Sequence, residues 1–244
     1  MATNPMHQFE VYKIGPEINL SGLNLSFTNA SLFMSISAIL ILTLLFFGTK
    51  RKSLIPSKIQ LVTELSYTFV AKMINDTAGS SAKSFFPFVF TLFMFVLFCN
   101  MVGMLPYSFT VTSHIIVTFV LAAIVFVGVT ILGFFKHGFK YLELFVPKGV
   151  PVVLLPLIVI IEIISYLSRP VSLSVRLFAN MMAGHTMLKV FGGFVISLGL
   201  LGGWLPLGFS VALTGLEILV AFLQAYVFAI LTCIYLNDAL NLHH

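Results

Sequence analysis

Long apolar runs separated by short polar segments make up most of the chain. The runs without any charged residue extend over residues 18–49, 84–135, 190–216 and 218–237. Several of them exceed the roughly 20 apolar residues that cross a bilayer core as a helix. The pattern predicts five membrane-embedded helices, at residues 30–48, 85–105, 114–135, 149–192 and 207–240.

A different pattern occupies residues 57–78. Val62, Leu65, Phe69 and Met73 recur there at steps of three or four, and charged side chains fall on the other faces. This periodicity predicts an amphipathic helix on the inner membrane surface. The same pattern equally fits a solvent-exposed linker helix packed on a neighbouring chain.

The last two apolar stretches are longer than a perpendicular span requires. As helices they would run about 65 and 50 Å at 1.5 Å per residue, whereas the hydrocarbon core is about 30 Å thick. Either each stretch breaks, with Pro151, Pro156 and Pro170 as candidate kinks in the first, or both lie steeply tilted. The glycines between them predict an external turn over 192–206, so the two stretches form an antiparallel hairpin.

Composition agrees with an all-α integral membrane protein. Apolar residues make up 59% of the 244 residues and charged residues 9%, against about 25% charged in soluble domains. We therefore expect a single membrane domain over residues 1–244, with an external segment over 1–29 and no separate soluble catalytic domain. Cys99 and Cys233 lie in apolar runs and are expected as core residues, which leaves no disulfide framework or zinc site.

The distribution of positive charges predicts the orientation. The two predicted inner loops hold nine basic residues: Lys50, Arg51, Lys52, Lys58, Lys72, Lys83, Lys136, Lys140 and Lys148. The N-terminal segment holds Lys13 alone, so the N-terminus is expected outside and the C-terminus in the cytoplasm. Residues 1–26 resemble neither a signal peptide nor a transit peptide. This favours a bacterial inner membrane, with the mitochondrial inner membrane as the alternative, because an organelle-encoded protein would also lack such a leader.

Ionisable residues inside apolar helices are costly and are functional candidates by default. Four are expected at bilayer depth: Glu162, Arg169, Arg176 and Glu217. Steps of three and four place one polar stripe on the first helix, formed by Glu162, Ser165, Arg169, Ser172, Arg176 and Asn180. A second stripe follows on the next helix, formed by Ser210, Thr214, Glu217 and Gln224. Such stripes are expected to face protein or water, not lipid.

The antiparallel hairpin predicts relative depths. If Arg176 lies level with Gln224, His185 lies about 13 Å and Glu217 about 10 Å towards the outside, at 1.5 Å per residue. Glu162 lies about 21 Å towards the inside by the same rise. Glu and His can exchange protons when their environments shift them, whereas a guanidinium stays charged. The arrangement describes two proton paths separated by a fixed positive charge.

Simpler explanations remain open for the individual residues. The two arginines could pair with Glu162 and Glu217 only to neutralise charge, which explains Arg169 better than Arg176. His185 could be a core or interfacial histidine. The amides of Asn180 and Gln224 could serve only as interhelical hydrogen-bonding groups.

Four motifs are distinctive: SYLSRPVSLSVRLFANMMAGH at 165–185, FCNMVGMLP at 98–106, EILVAFLQAYVF at 217–228 and YLND at 235–238. Together they resemble a known family, subunit a of the F-type ATP synthase. The likeness covers nearly the whole chain after about Ser26, and the arginine-containing motif is highly specific.

The resemblance implies a fold and a set of roles. The fold is five membrane-embedded helices, the last two a long, steeply tilted antiparallel hairpin, plus one amphipathic surface helix. The function is that of a proton-translocating stator, in which proton flow through two offset half-channels turns a ring of c subunits and drives ATP synthesis. The implied roles are Arg176 as the barrier charge facing the c-ring, Glu162 in the inner half-channel, His185, Glu217 and Asn180 in the outer half-channel, and Gln224 close to the arginine.

The pair of His185 and Glu217 resembles the mitochondrial and alphaproteobacterial form of the family, since other members hold acid and histidine in reverse. The stretch at 110–119 resembles the same lineage. Some members carry an acidic residue where Gly103 stands, so proton uptake here cannot depend on a carboxylate at that position.

The implied partners are the c-subunit ring, b-type peripheral stalk subunits, the rest of the F-type ATP synthase and membrane lipid, without nucleic acid. No cofactor or metal is expected. The chain is not expected to be an enzyme by itself, because it lacks metalloprotease, Walker-type and nucleophile-elbow motifs. The alternative function is a self-contained secondary ion transporter, but such proteins often show internal repeats, and none is visible.

Overall fold

The computed structural model describes residues 9–14, 19–20, 23–24, 26–50, 56–105, 108–146 and 154–241. Its helices are α1 (Asn29–Lys50), α2 (Lys58–Ala78), α3 (Phe86–Gly103), α4 (Ile115–His137), α5 (Leu155–Gly202) and α6 (Trp204–Leu240). Within these ranges, all but α2 are long and apolar enough to cross a membrane. The prediction of an all-α membrane fold with five such helices is confirmed.

A small hairpin of strands precedes α1, which the sequence pattern did not predict. Strand β1 (Asn19–Leu20) pairs antiparallel with β2 (Leu23–Asn24). A further bridge joins Lys13 to Thr28, next to the first turn of α1. These short pairings are too few to alter the helical class.

Helix α2 packs on the bundle through a face that the apolar pattern did not single out. Ser57 caps its N-terminus by accepting a hydrogen bond from the Gln60 backbone N–H. Met73 of the predicted stripe is buried, whereas Val62 and Leu65 are exposed. Thr63 is buried at Gly48 of α1, where a Cβ atom would collide with the Thr63 side chain. Close approach at a glycine therefore decides which face packs inward.

Helices α5 and α6 form the predicted antiparallel pair, but the turn between them is shorter than expected. The sequence pattern predicts that the first helix ends at Gly192 and the second begins at residue 207. In the structure, α5 continues to Gly202 and α6 begins at Trp204. The backbone leaves helical geometry at Gly199, with φ 62°. Glycine adopts this positive φ without steric cost, so the bend falls there.

Of the predicted kinks, Pro151 lies outside the described residues, and neither Pro156 nor Pro170 breaks α5. Pro170 lies inside the helix, and the only non-helical dihedral angles of α5 are those of Gly199. Up to the bend at Gly199, the helix spans 45 residues and is about 68 Å long, more than twice the roughly 30 Å of a bilayer core. An uninterrupted apolar helix of this length fits a bilayer only in an oblique orientation.

The core lies where α3 meets α6. Phe93 of α3 and Phe228 of α6 are both almost fully buried. Ala225, Ala229 and Cys233 line the packed face of α6 and are fully buried. Small residues let helix backbones approach closely in membranes. Cys99 is also buried, and neither cysteine forms a disulfide, so both belong to the core as predicted.

Candidate functional site

Arg176 lies on the exposed side of α5. Its neighbours Leu173 and Leu177 are buried. Ser174 is also buried, and its Oγ lies 3.2 Å from Thr118 Oγ1 of α4. These contacts hold α5 against the bundle and turn the arginine outward. Among the described residues, no carboxylate lies within ion-pair distance of its guanidinium.

Arg169, two turns earlier, has a different environment. Its Nη1 donates to Asp238 Oδ2 of α6 at 3.1 Å. The guanidinium also lies over the rings of Tyr166 and Tyr235, with 5.3 and 5.2 Å between its central carbon and the ring centroids. The suggested pairing with Glu162 or Glu217 is wrong, because the antiparallel register brings Asp238 to this level. That Arg169 serves charge neutralisation agrees with its surroundings.

We name the two ends of the hairpin by what lies there. The turn end holds the bend at Gly199, and the base end holds Leu155 and Leu240, where α5 begins and α6 ends. Relative to Arg176, His185 lies towards the turn end and Glu162 towards the base end.

On the turn side of Arg176, His185 of α5 meets Glu217 of α6. The contact joins His185 Nδ1 to Glu217 Oε1. His185 Nε2 lies 2.8 Å from the Gly103 carbonyl oxygen at the end of α3. Glu217 is 5% exposed, so this pair is enclosed by three helices.

The surroundings of His185 indicate how many protons the pair holds. A carbonyl oxygen only accepts hydrogen bonds, so Nε2 must carry a hydrogen. Two lone pairs facing each other at Nδ1 and Glu217 Oε1 would repel, so one further proton lies between them. The pair is then either imidazolium with carboxylate or imidazole with carboxylic acid, and these forms differ by the shift of one proton. Such a site can accept a proton from one neighbour and release one to another.

Two glycines permit this geometry. A Cβ atom on Gly184 would lie 2.8 Å from Glu217 Oε1, so any larger residue would displace the carboxylate. A Cβ atom on Gly103 would lie 2.8 Å from Thr110 Cγ2. The Gly103 carbonyl accepts from Ser108 Oγ at 2.9 Å and Thr110 Oγ1 at 3.1 Å. A folded-back segment thus fills the space that a carboxylate at residue 103 would need.

The side-chain amides of Asn180 and Gln224 lie between the His185–Glu217 pair and Arg176. Asn180 Nδ2 donates to Gln224 Oε1 at 3.0 Å. Gln224 is therefore level with Asn180, one helical turn or about 6 Å from Arg176, instead of level with the arginine as assumed. Asn100 of α3 donates to the Ala221 carbonyl at 3.2 Å, which places it between Glu217 and Gln224 along α6.

Glu162 lies on the base side of Arg176. The carboxylate is half-buried, and within the described ranges it forms no ion pair. Glu162 precedes Arg176 by fourteen positions in the sequence, which corresponds to about 21 Å along the helix. Acidic groups thus lie on both sides of the arginine, as the spacing predicted.

Comparison with known proteins identifies the family. The family model described as ATP synthase A chain matches residues 31–237. The chain belongs to the ATP synthase A chain family. The resemblance drawn from its motifs is confirmed.

Curated relatives cover this member of the ATP synthase A chain family from end to end. A protein of Pelagibacter ubique named ATP synthase subunit a is 79% identical over 244 residues, which is the whole of both chains. One of the same name from Chelativorans sp. is 61% identical, again over the whole of both chains. A third, from Rhizobium rhizogenes, is 61% identical over 99% of this chain and 98% of its own.

Sequence reasoning about this family member named Glu217 and Gln224 but missed Asn100, Thr112 and His114 on the turn side. Beyond the histidine pair, five buried side-chain atoms have no hydrogen-bond partner among the described residues: Asn100 Oδ1, Thr112 Oγ1, His114 Nε2, Glu217 Oε2 and Gln224 Nε2. The signal for two of them was the sequence Thr-Val-Thr-Ser-His at 110–114, which puts three hydroxyls and an imidazole between apolar spans. Buried polar atoms without protein partners are normally satisfied by water.

Proposed function

We propose that the chain is the proton-conducting stator subunit of an ATP synthase membrane sector, with two proton paths separated by Arg176. The observation that carries the proposal is the exposed Arg176 guanidinium on an apolar helix, without a carboxylate partner in the described chain. An unpaired charge at membrane depth is costly. A carboxyl group on another chain, that of a rotating c subunit, would supply the missing partner.

The turn-side path delivers protons through the His185 and Glu217 pair. A proton arriving at the pair is taken up as another leaves towards the hairpin interior, since the pair holds one proton between Nδ1 and Oε1. Asn180 and Gln224 continue the polar path towards the arginine. The unpaired atoms of Asn100 and Gln224 support a hydrated route at this level.

The rotor carboxyl group exchanges its proton on the two sides of Arg176. A protonated carboxyl releases its proton into the base-side path, where Glu162 accepts it. The resulting carboxylate passes Arg176 as an ion pair and takes up a new proton from the turn-side path. Because the guanidinium stays charged, it cannot relay a proton between the paths. Proton flow down its gradient therefore requires movement of the ring.

Orientation and partners follow from the same proposal. The turn end and the N-terminus lie outside, and the base end and the C-terminus face the cytoplasm of a bacterium of alphaproteobacterial type. The c-subunit ring and b-type peripheral stalk subunits are the partners, and ATP chemistry takes place on other subunits. A self-contained secondary transporter gains no support from the family to which the chain belongs.

The test uses membrane vesicles that contain the whole complex with Arg176→Ala. ATP synthesis driven by a proton gradient should fall by at least about a hundredfold, because the variant lacks the charge that separates the paths. The matched control is Lys189→Ala, which removes an exposed cation from the same helix and should leave synthesis within about twofold. Immunoblotting of the purified complex verifies assembly of both variants.

Normal coupled synthesis by an assembled Arg176→Ala complex would overturn the proposal. An equal loss in both variants would mean that ATP synthesis depends on the total positive charge of α5 and not on the position of Arg176. Substitution Arg176→Lys tests the geometry further, since an ammonium group keeps the charge without the planar fork.

A further inference from the structure

The two arginines of α5 differ in a way that the proton path itself does not explain. They lie seven residues apart on one stripe, about 10 Å along the helix axis. Arg169 is paired with Asp238 and covered by two tyrosine rings. Arg176 is exposed and, within the described residues, has no carboxylate partner. Of two guanidinium groups on the same helix, one is thus neutralised by a carboxylate and the other, within the described residues, is not.

A second unpaired guanidinium at this place would compete for the rotor carboxylate. Charges attract strongly at low dielectric, and 10 Å is within reach of that attraction. A carboxylate that paired with Arg169 instead of Arg176 would be held on the base side of the barrier. The carboxylate of Asp238 cancels the charge of Arg169 locally, at 3.1 Å.

We propose that Asp238 is a positioning residue for proton translocation, which neutralises Arg169 so that the rotor carboxylate pairs with Arg176 alone. This inference rests on the proposed stator function. Asp238 touches neither the proton nor the rotor group; it acts through Arg169.

Other contacts already hold the helices together at this level, so the charge pair is not needed for that purpose alone. Tyr166 OH lies 2.6 Å from Thr130 Oγ1 of α4 and 3.1 Å from Tyr141 OH. Lys136 Nζ of α4 donates to the Leu240 carbonyl at the end of α6, at 3.0 Å. These bonds tie α4 to both helices of the hairpin without using Asp238. Charge neutralisation and helix packing can therefore be separated by substitution.

The experiment compares Asp238→Asn with the double substitution Arg169→Gln and Asp238→Asn, both in the whole complex in vesicles. Asp238→Asn leaves Arg169 charged, and we expect gradient-driven ATP synthesis to fall at least about tenfold. The double variant has neither charge, and synthesis should return to within about threefold of the wild type. The matched control Asp76→Asn removes an exposed carboxylate from α2 and should have no effect.

Passive proton conduction through vesicles stripped of the catalytic head provides the second readout. It should follow the same order, low in Asp238→Asn and restored in the double variant. The temperature at which the complex releases the subunit reports packing, and we expect it to fall in both variants. A purely structural role would make synthesis follow this temperature instead.

Two outcomes would overturn the inference: normal synthesis by Asp238→Asn, or a double variant as impaired as the single one. If Asp238→Asn fails to assemble, an active double variant still supports neutralisation, and failure of both assigns the pair to folding. The stator function itself is judged separately by Arg176→Ala. Loss of coupling there, together with normal Asp238→Asn, would reject the inference alone.

Discussion

The turn side and the base side of the hairpin treat their polar side chains in opposite ways. The turn-side cluster consists of Asn100, Thr112, His114, His185, Glu217 and Gln224, and the base-side cluster of Thr130, Tyr141, Tyr166, Arg169, Tyr235 and Asp238. In the turn-side cluster, five buried atoms beyond the histidine pair have no partner among the described residues. In the base-side cluster, Arg169 pairs with Asp238, and the hydroxyls of Thr130, Tyr141 and Tyr166 contact one another. The ring of Tyr235 covers Arg169.

This difference shows how one pair of helices can conduct protons at one end and keep a fixed packing at the other. An unpaired buried polar atom costs about 1–3 kcal/mol unless water satisfies it. The turn-side cluster therefore favours hydration and proton movement. The base-side cluster has little need of water, because its rings and ion pair satisfy each other. We infer that the first serves proton transfer, whereas in the second the hydroxyl contacts hold α5 against α4 and Asp238 neutralises Arg169.

The largest effect on ATP synthesis is expected from displacing one carboxylate of the turn-side cluster. Gly184→Ala adds a methyl group 2.8 Å from Glu217 Oε1. Misplacement of a reacting group by about 1 Å can cost up to about a hundredfold in rate, and we expect ATP synthesis to fall at least about tenfold. The measurement is gradient-driven synthesis in vesicles with the whole complex.

Gly192→Ala is the matched control for this substitution. It lies on the same helix, and a Cβ atom there meets nothing within 4 Å. Synthesis should remain at the wild-type level. If both variants lose activity equally, helix flexibility and not the position of Glu217 would explain the effect.

The sequence predicted positions along α5 and the level of its main polar contact much better than it predicted the other contacts between helices. Steps of three and four showed that Glu162, Arg176 and Asn180 share a stripe of α5, because helical periodicity is local. Antiparallel arithmetic then placed His185 and Glu217 at similar depths, and the structure brings them into contact.

The base-side cluster depends on information that local pattern lacks. The contact of Arg169 with Asp238 joins residues 69 apart in sequence, and it requires the register of the hairpin to within one turn. That register was one turn off in the assumption about Gln224, because no sequence feature marks it. The folding back of Thr110 onto Gly103 is set by close packing at a glycine, which also leaves no periodic signal.

A sharper comparison makes the same substitution in both clusters. Thr130→Val removes the hydroxyl that lies 2.6 Å from Tyr166 OH, and it should destabilise the subunit by about 1 kcal/mol while synthesis stays within about twofold. Thr112→Val removes a buried hydroxyl without a partner in the described chain. Thr112→Val should lower passive proton conduction about threefold and leave the stability of the subunit unchanged or improved, because no protein hydrogen bond is lost.

Proton conduction of both variants is measured in vesicles stripped of the catalytic head. Their stability is measured as the temperature at which the complex loses the subunit.

The comparison fails if the two threonine variants behave alike. Equal loss of stability would mean that Thr112 has a partner of structural importance. Equal loss of conduction would mean that the base-side cluster also carries protons. Thr232→Val provides a control inside α6, where the hydroxyl is buried and bonded to the Phe228 carbonyl of its own helix.

The smallest expected effect concerns pH and the edge of the turn-side cluster. His114 precedes α4 and stacks on Phe109, with 4.9 Å between ring centroids. Burial lowers the pKa of His114 below its ordinary value of 6.5, because the charged form loses hydration. The folded protein then binds fewer protons than the unfolded chain, so the stability from neutral His114 is complete above about pH 6.5 and is lost as pH falls through the folded pKa. The temperature of subunit loss should therefore drop between about pH 7.5 and about pH 5, and less so in His114→Gln. An identical drop in both proteins would show that protonation elsewhere weakens the fold, and that the imidazole of His114 contributes nothing to its acid sensitivity.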